Sequence, residues 1–135
     1  MTSRRSVIGG GASLQLTLPL PPNLANARMH WRVKHKAKVD YYEACDWWQL
    51  AKQIPLPPER PWERTRITAT AFVARRMDMG NLMHRVEKFP CDWLKTRGYI
   101  VDDSPEYLEW EGLPKQHVVK RSETRLEITL TPIVK

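Results

Sequence analysis

Three stretches of this chain alternate apolar and polar side chains with a period of two, and that period commits it to a sheet. Residues 13–19 set Leu14, Leu16 and Leu18 against Gln15 and Thr17. Residues 66–74 set Ile67, Ala69, Ala71 and Val73 against Arg66, Thr68, Thr70 and Phe72. Residues 125–133 set Leu126, Ile128 and Leu130 against Glu127 and Thr129. Successive side chains of a strand point to opposite faces, so each stretch reads as a strand with one buried face. The middle one carries bulk on both faces and is expected at the centre of the sheet.

Between the strands the spacing changes to that of helices. Tyr42, Cys45, Trp47 or Trp48, and Leu50 or Ala51 recur every three to four residues over 39–53. Leu82, Val86, Phe89, Trp93 and Leu94 describe a second amphipathic helix, which Pro90 should kink and Gly98 should end. Pro55, Pro57, Pro58 and Pro61 make the intervening segment an extended connection. Tyr99, Ile100 and Val101 predict a short strand running into Asp102, Asp103, Ser104 and Pro105, and residues 106–110 an extended piece or a single turn. The order strand, helix, strand, helix, short strand, strand predicts an α+β fold: a single small domain with a mixed β-sheet and helices packed on it. With 135 residues there is room for one sizeable core. Residues 1–12 read as a flexible N-terminal tail and 13–135 as the domain.

No apolar run approaches the roughly 20 residues that cross a bilayer, so no membrane partner is expected, and the absence of a secretory pattern predicts a cytoplasmic protein. Cys45 and Cys91 lack companions at metal-ligand spacing and read as reduced core thiols. The net charge is +7, and no acidic residue precedes Asp40, whereas Arg4, Arg5, Arg28, Arg32, Lys34, Lys36 and Lys38 do. A one-sided basic segment attracts polyanions, because neutralised phosphates release condensed counterions. Residues 23–38 are expected as a basic loop. It holds Arg28, His30, Trp31, Arg32, Lys34, His35, Lys36 and Lys38 as DNA-contact candidates; the arginines and lysines would track phosphates, and Trp31 would either stack on an exposed base or wedge at a junction centre, or tuck into the core.

The acids come late and clustered. Asp78 follows the central strand at the mouth of a helix, Asp102 and Asp103 end the short strand, and Glu106 lies close behind. If those strands are neighbours, the carboxylates converge at one edge of the sheet, as a hard divalent cation requires. Singly, Asp78 reads equally as a helix cap and Asp102–Asp103 as a turn.

The segment Arg75-Arg76-Met77-Asp78-Met79-Gly80-Asn81-Leu82, followed by Gly98-Tyr99-Ile100-Val101-Asp102-Asp103-Ser104, resembles the signature of the RusA family. Leu18 to Pro22 and the basic stretch after it are similar to that family's N-terminal part. The resemblance runs over roughly residues 14–133. It implies a homodimeric, Mg²⁺-dependent endonuclease, with Mn²⁺ as a possible substitute, that nicks opposed strands of four-way or otherwise branched DNA. Such enzymes act in recombination, repair or phage DNA processing. Carried over by position, Asp78 and Asp103 are metal-binding catalytic carboxylates with Asp102 supporting. Asn81, His84 and Arg85 position the phosphate, and Arg75 and Arg76 join the DNA-binding residues. Two positions depart from the signature: Gly80 stands where it has an aspartate, and His84 where it has a lysine. The alternative implied by Gly80 is a weak or inactive member that only binds branched or duplex DNA. Beside both stands a basic protein-interaction or RNA-binding module.

Overall fold

The computed structural model describes residues 13–22, 31–51 and 54–133. The tail expected over 1–12 lies outside the described residues, as do Arg28 and His30. The elements are β1 (Leu14–Leu18), α1 (Trp31–Ala51), β2 (Thr65–Val73), α2 (Met79–Glu87), α3 (Phe89–Thr96), β3 (Leu108–Trp110), β4 (Lys115–Val118), a 3₁₀ turn (Arg121–Glu123) and β5 (Arg125–Pro132). They form a small α+β domain around a mixed five-stranded sheet.

The three alternating stretches are neighbours. β1 pairs antiparallel with β5, and β5 antiparallel with β2, which makes β2 central as its composition predicts. The register stacks the apolar positions into rows: Leu14–Leu130–Ile67, Leu16–Ile128–Ala69 and Leu18–Leu126–Ala71. All but Leu14 are buried, because a one-residue slip would turn a whole strand's leucines to water. On its other side β2 pairs parallel with β3 over its first residues and with β4 over its last.

The helices close over the leucine face. Tyr41 and Cys45 of α1, Leu82 and Val86 of α2, and Cys91, Trp93 and Leu94 of α3 join one core with the strands. The α1–α3 contact has a polar lock: Asp46 accepts from Trp93 Nε1 and Arg97 Nε at 2.9 Å each and from a second Arg97 nitrogen at 2.7 Å.

Three expectations are corrected, and one strand has no sequence signal. The basic stretch is not a loop where it is described, since α1 begins at Trp31 rather than near residue 39. Arginine, lysine and alanine are good helix formers, but a helix portion that buries nothing shows no apolar period. The kinked helix is two helices, because Pro90 sits in the first turn of α3, where its missing N–H leaves no bond unmade. Residues 99–101 are not a strand. Gly98, at φ +86°, terminates α3, and the Tyr99 N–H returns to Leu94 O (2.8 Å) while Gly98 N–H reaches Lys95 O (3.2 Å). Tyr99 and Ile100 are buried as a plug under that turn. Strand β4 was not foreseen; its sequence, Lys-Gln-His-Val, lies at an edge and alternates nothing apolar.

Candidate DNA-facing surface and carboxylate positions

Asp78 stands where the sequence places it, at the exit from β2 and the entrance of α2. Its Oδ1 accepts from the Asn81 backbone N–H (2.8 Å) and its Oδ2 from Asn81 Nδ2 (3.0 Å). The carboxylate thus caps α2, and Asn81 fixes both of its oxygens. Cap and candidate ligand are compatible, since a carboxylate has about four acceptor positions and Asn81 takes two. The preceding residue is held by Gln116 of β4, whose Oε1 accepts from Met77 N–H (3.1 Å) and whose Nε2 donates to Met77 O (2.8 Å). Gln116 is the positioning residue that the sequence did not reveal. Only its place beside Ala71 in the parallel β2–β4 pair brings it to Met77. Arg75 and Arg76 are exposed on the same connection.

Gly80 is the second residue of α2. A Cβ built there would meet Asp78 Oδ1 at 3.4 Å, so a side chain fits without moving the backbone. The glycine is not required by the turn.

The later acids lie elsewhere. Asp102 Oδ1 pairs with Lys95 Nζ (3.1 Å) and accepts the Asp103 N–H (2.9 Å). The Lys95 hydrogen bond, then that backbone bond, holds the Asp102 carboxyl below its usual range. Asp103 is close enough to Cys91 to help burial raise that thiol, together with Glu87 and Asp92. Ser104 begins the turn that delivers Tyr107 O to Thr65 N–H (2.9 Å), so this pair enters at the start of β2. Met77 is held level with Ala71, six residues further along. At about 3.3 Å per residue that is roughly 20 Å of strand. The convergence expected at one sheet edge therefore does not occur within one chain. The neighbouring strand it needed, residues 99–101, is absent, and the crossover through α2 and α3 returns the chain to the far end of β2. Among the described residues no group of three His, Cys, Asp or Glu is placed to hold a metal ion. A three-carboxylate Mg²⁺ site made of Asp78, Asp102 and Asp103 does not fit one chain.

The helix residues assigned to phosphate also take specific places. Arg85 turns inward: its Nε donates to Pro21 O and a terminal nitrogen approaches Met77 Sδ (3.5 Å), tying α2 to the end of β1. Burial lowers its guanidinium from the ordinary value. His84 has a buried Nδ1 without a hydrogen-bond partner among the described residues. Glu106 lies near Arg64, whose Nε donates to its carbonyl (3.0 Å), and at the far end of β2 from Asp78.

The basic residues form the other surface. Trp31 is 66% exposed, which excludes a core role. Arg32, Lys34, His35 and Lys36 are exposed and Lys38 half-buried, all on α1. Lys36 pairs with Asp40 (2.9 Å), and Lys38 lies 3.9 Å from Asp92. Of the other tryptophans, Trp93 is fully buried and Trp47 is 69% exposed. No helix among the described residues is long and apolar enough to cross a membrane. No protein-family model matches this chain, and no curated protein is found to be similar to it.

Proposed function

We propose that this chain is a Holliday-junction resolvase of the RusA type, a structure-specific endonuclease that works as a homodimer on four-way or branched DNA. The observation that carries this reading is the Asp78 carboxylate. It stands at the exit of the central strand, is oriented through both oxygens by Asn81, and is flanked by exposed Arg75 and Arg76. The two arginines draw a phosphodiester toward a carboxylate already fixed in direction. The cations of α1 supply a grip on the duplex arms, and two copies provide one cut on each of two opposed strands. Mg²⁺ or Mn²⁺ belongs to this reading through the resemblance. The protein would act in the cytoplasm of a bacterial or phage-infected cell.

A second reading is favoured by the distance between Asp78 and the Asp102–Asp103 pair and by Gly80: a domain of the same type that binds branched DNA and does not cut it. Asp78→Asn separates the two. A resolvase loses its paired nicks in this variant and retains binding, whereas a pure binding protein shows no nicks to lose and an unchanged affinity.

A further inference from the structure

The first two turns of α1 carry exposed side chains on every side. Residues 31–36 are all exposed, and the first fully buried residue is Tyr41. Six residues at about 1.5 Å each span roughly 9 Å. Its cations are ordered by the helix. Each residue turns about 100°, so Arg32 and Lys36 fall on one flank and Lys34 and Lys38 on another, roughly 200° away. Trp31 and His35 lie between the rows on one side, and Val33 and Ala37 on the other. The first acid, Asp40, comes after all four cations, where it pairs with Lys36, and Lys38, half-buried, is turned toward Asp92 of α3 and the Tyr42 ring.

We propose that these turns lie in the major groove of a duplex DNA arm. Arg32 and Lys36 meet the phosphates of one groove wall, Lys34 meets those of the other, and Trp31 and His35 face the base edges. A flat anionic partner, such as a lipid surface or an acidic protein face, would meet one row and leave the other pointing away. A groove has two charged walls about 12 Å apart, and a helix with side chains is about 10–12 Å across. Exposure on every side is what entry into a groove needs. The inference rests on the DNA-binding half of the preceding proposal and specifies which form of DNA this element grips and how.

The test uses an unbranched duplex in EDTA, so neither cleavage nor junction shape enters. His35→Pro breaks these turns without removing a permanent charge, and His35→Ala keeps the helix with the same imidazole lost. Unchanged thermal unfolding of both would show that the core, which begins near Tyr41, is intact. The expected result is a loss of about tenfold or more in duplex affinity for His35→Pro relative to His35→Ala, which corresponds to about 1.4 kcal/mol. A second measurement does not depend on the proline. Methyl green, which fills the major groove, displaces the protein, and netropsin, which fills the minor groove, does not. Equal affinities of the two His35 variants would overturn the groove helix in favour of a shapeless polycation, and displacement by netropsin alone would overturn it as well. Junction binding or cutting without any duplex affinity would sink this inference and leave the resolvase reading standing. No binding to either DNA would sink both.

Discussion

Replacing Gly80 by aspartate tests whether the start of α2 is a metal site short of one carboxylate. A Cβ at this position lies 3.4 Å from Asp78 Oδ1, and Gly80 is exposed, so the new carboxylate has room and stands near the first. Without metal the effects nearly cancel. An acid in the first turn of a helix gains about 0.3–1 kcal/mol from the dipole. Loss of a glycine gains up to about 0.5–1 kcal/mol more. Two carboxylates about 5 Å apart in water-like surroundings cost about 1 kcal/mol. The Gly80→Asp protein should therefore unfold within about 1 kcal/mol of the parent in EDTA. With Mg²⁺ at ten times its dissociation constant, binding adds RT ln 11, about 1.4 kcal/mol. In a domain of this size that raises the unfolding midpoint by about 4 °C. Thermal unfolding of parent and variant across a Mg²⁺ series measures this directly, with the Gly80→Asp/Asp78→Asn double variant as control. A variant whose midpoint ignores Mg²⁺ would show that Asp78 and position 80 do not form a divalent site.

Other expectations follow from the same structure. Arg97 and then Trp93 hold the Asp46 carboxyl below its ordinary value of 3.8, so the unfolded chain takes up the proton first. The lock's contribution is therefore complete near neutrality and is lost as pH falls from about 4 downward, to the extent of about 1 kcal/mol for a half-exposed pair. Denaturant midpoints of parent and Asp46→Asn measured at pH 7 and pH 3 should converge at the lower pH, and a constant gap would contradict the assignment. Burial pushes the Cys45 thiol up to about 12 and Cys91 higher still, so a thiol reagent at pH 8 should label neither until the protein unfolds. Rapid labelling of the native protein would be inconsistent with that burial. Leu130→Ala, in the centre of the Leu14–Leu130–Ile67 row, should cost about 2–5 kcal/mol in chemical denaturation, and a loss under 1 kcal/mol would mean the row is not the core.

The strands of the core were legible because their partners share one buried face. Leu16, Ile128 and Ala69 each announce a period of two before any pairing is known. What was not legible had no apolar period to announce it. The first turns of α1 have no residue in the core over 31–36, and β4 is held by its backbone and by Gln116 at an edge. The opposite error occurred at Tyr99 and Ile100, where a buried apolar pair suggested a strand. Its burial comes instead from the turn after Gly98, with Tyr99 stacked on Trp93 and its hydroxyl donating to Pro55 O. At the candidate site, the cap at Asp78 is legible in the sequence, because a cap depends only on residues three apart. The relation of Asp78 to Asp103 depends on how far α2 and α3 carry the chain. Spacing in sequence does not fix that distance, and the crossover returned Asp103 to the other end of β2.

The most direct test of the central claim is digestion of a labelled synthetic four-way junction, with Mg²⁺ or Mn²⁺, resolved on a denaturing gel beside Asp78→Asn and a linear duplex. Paired, symmetric nicks near the crossover are expected from the parent protein and none from Asp78→Asn, which still binds because asparagine also caps a helix. Intact strands in both metals despite tight junction binding, or nicks that persist in Asp78→Asn, would contradict the claim.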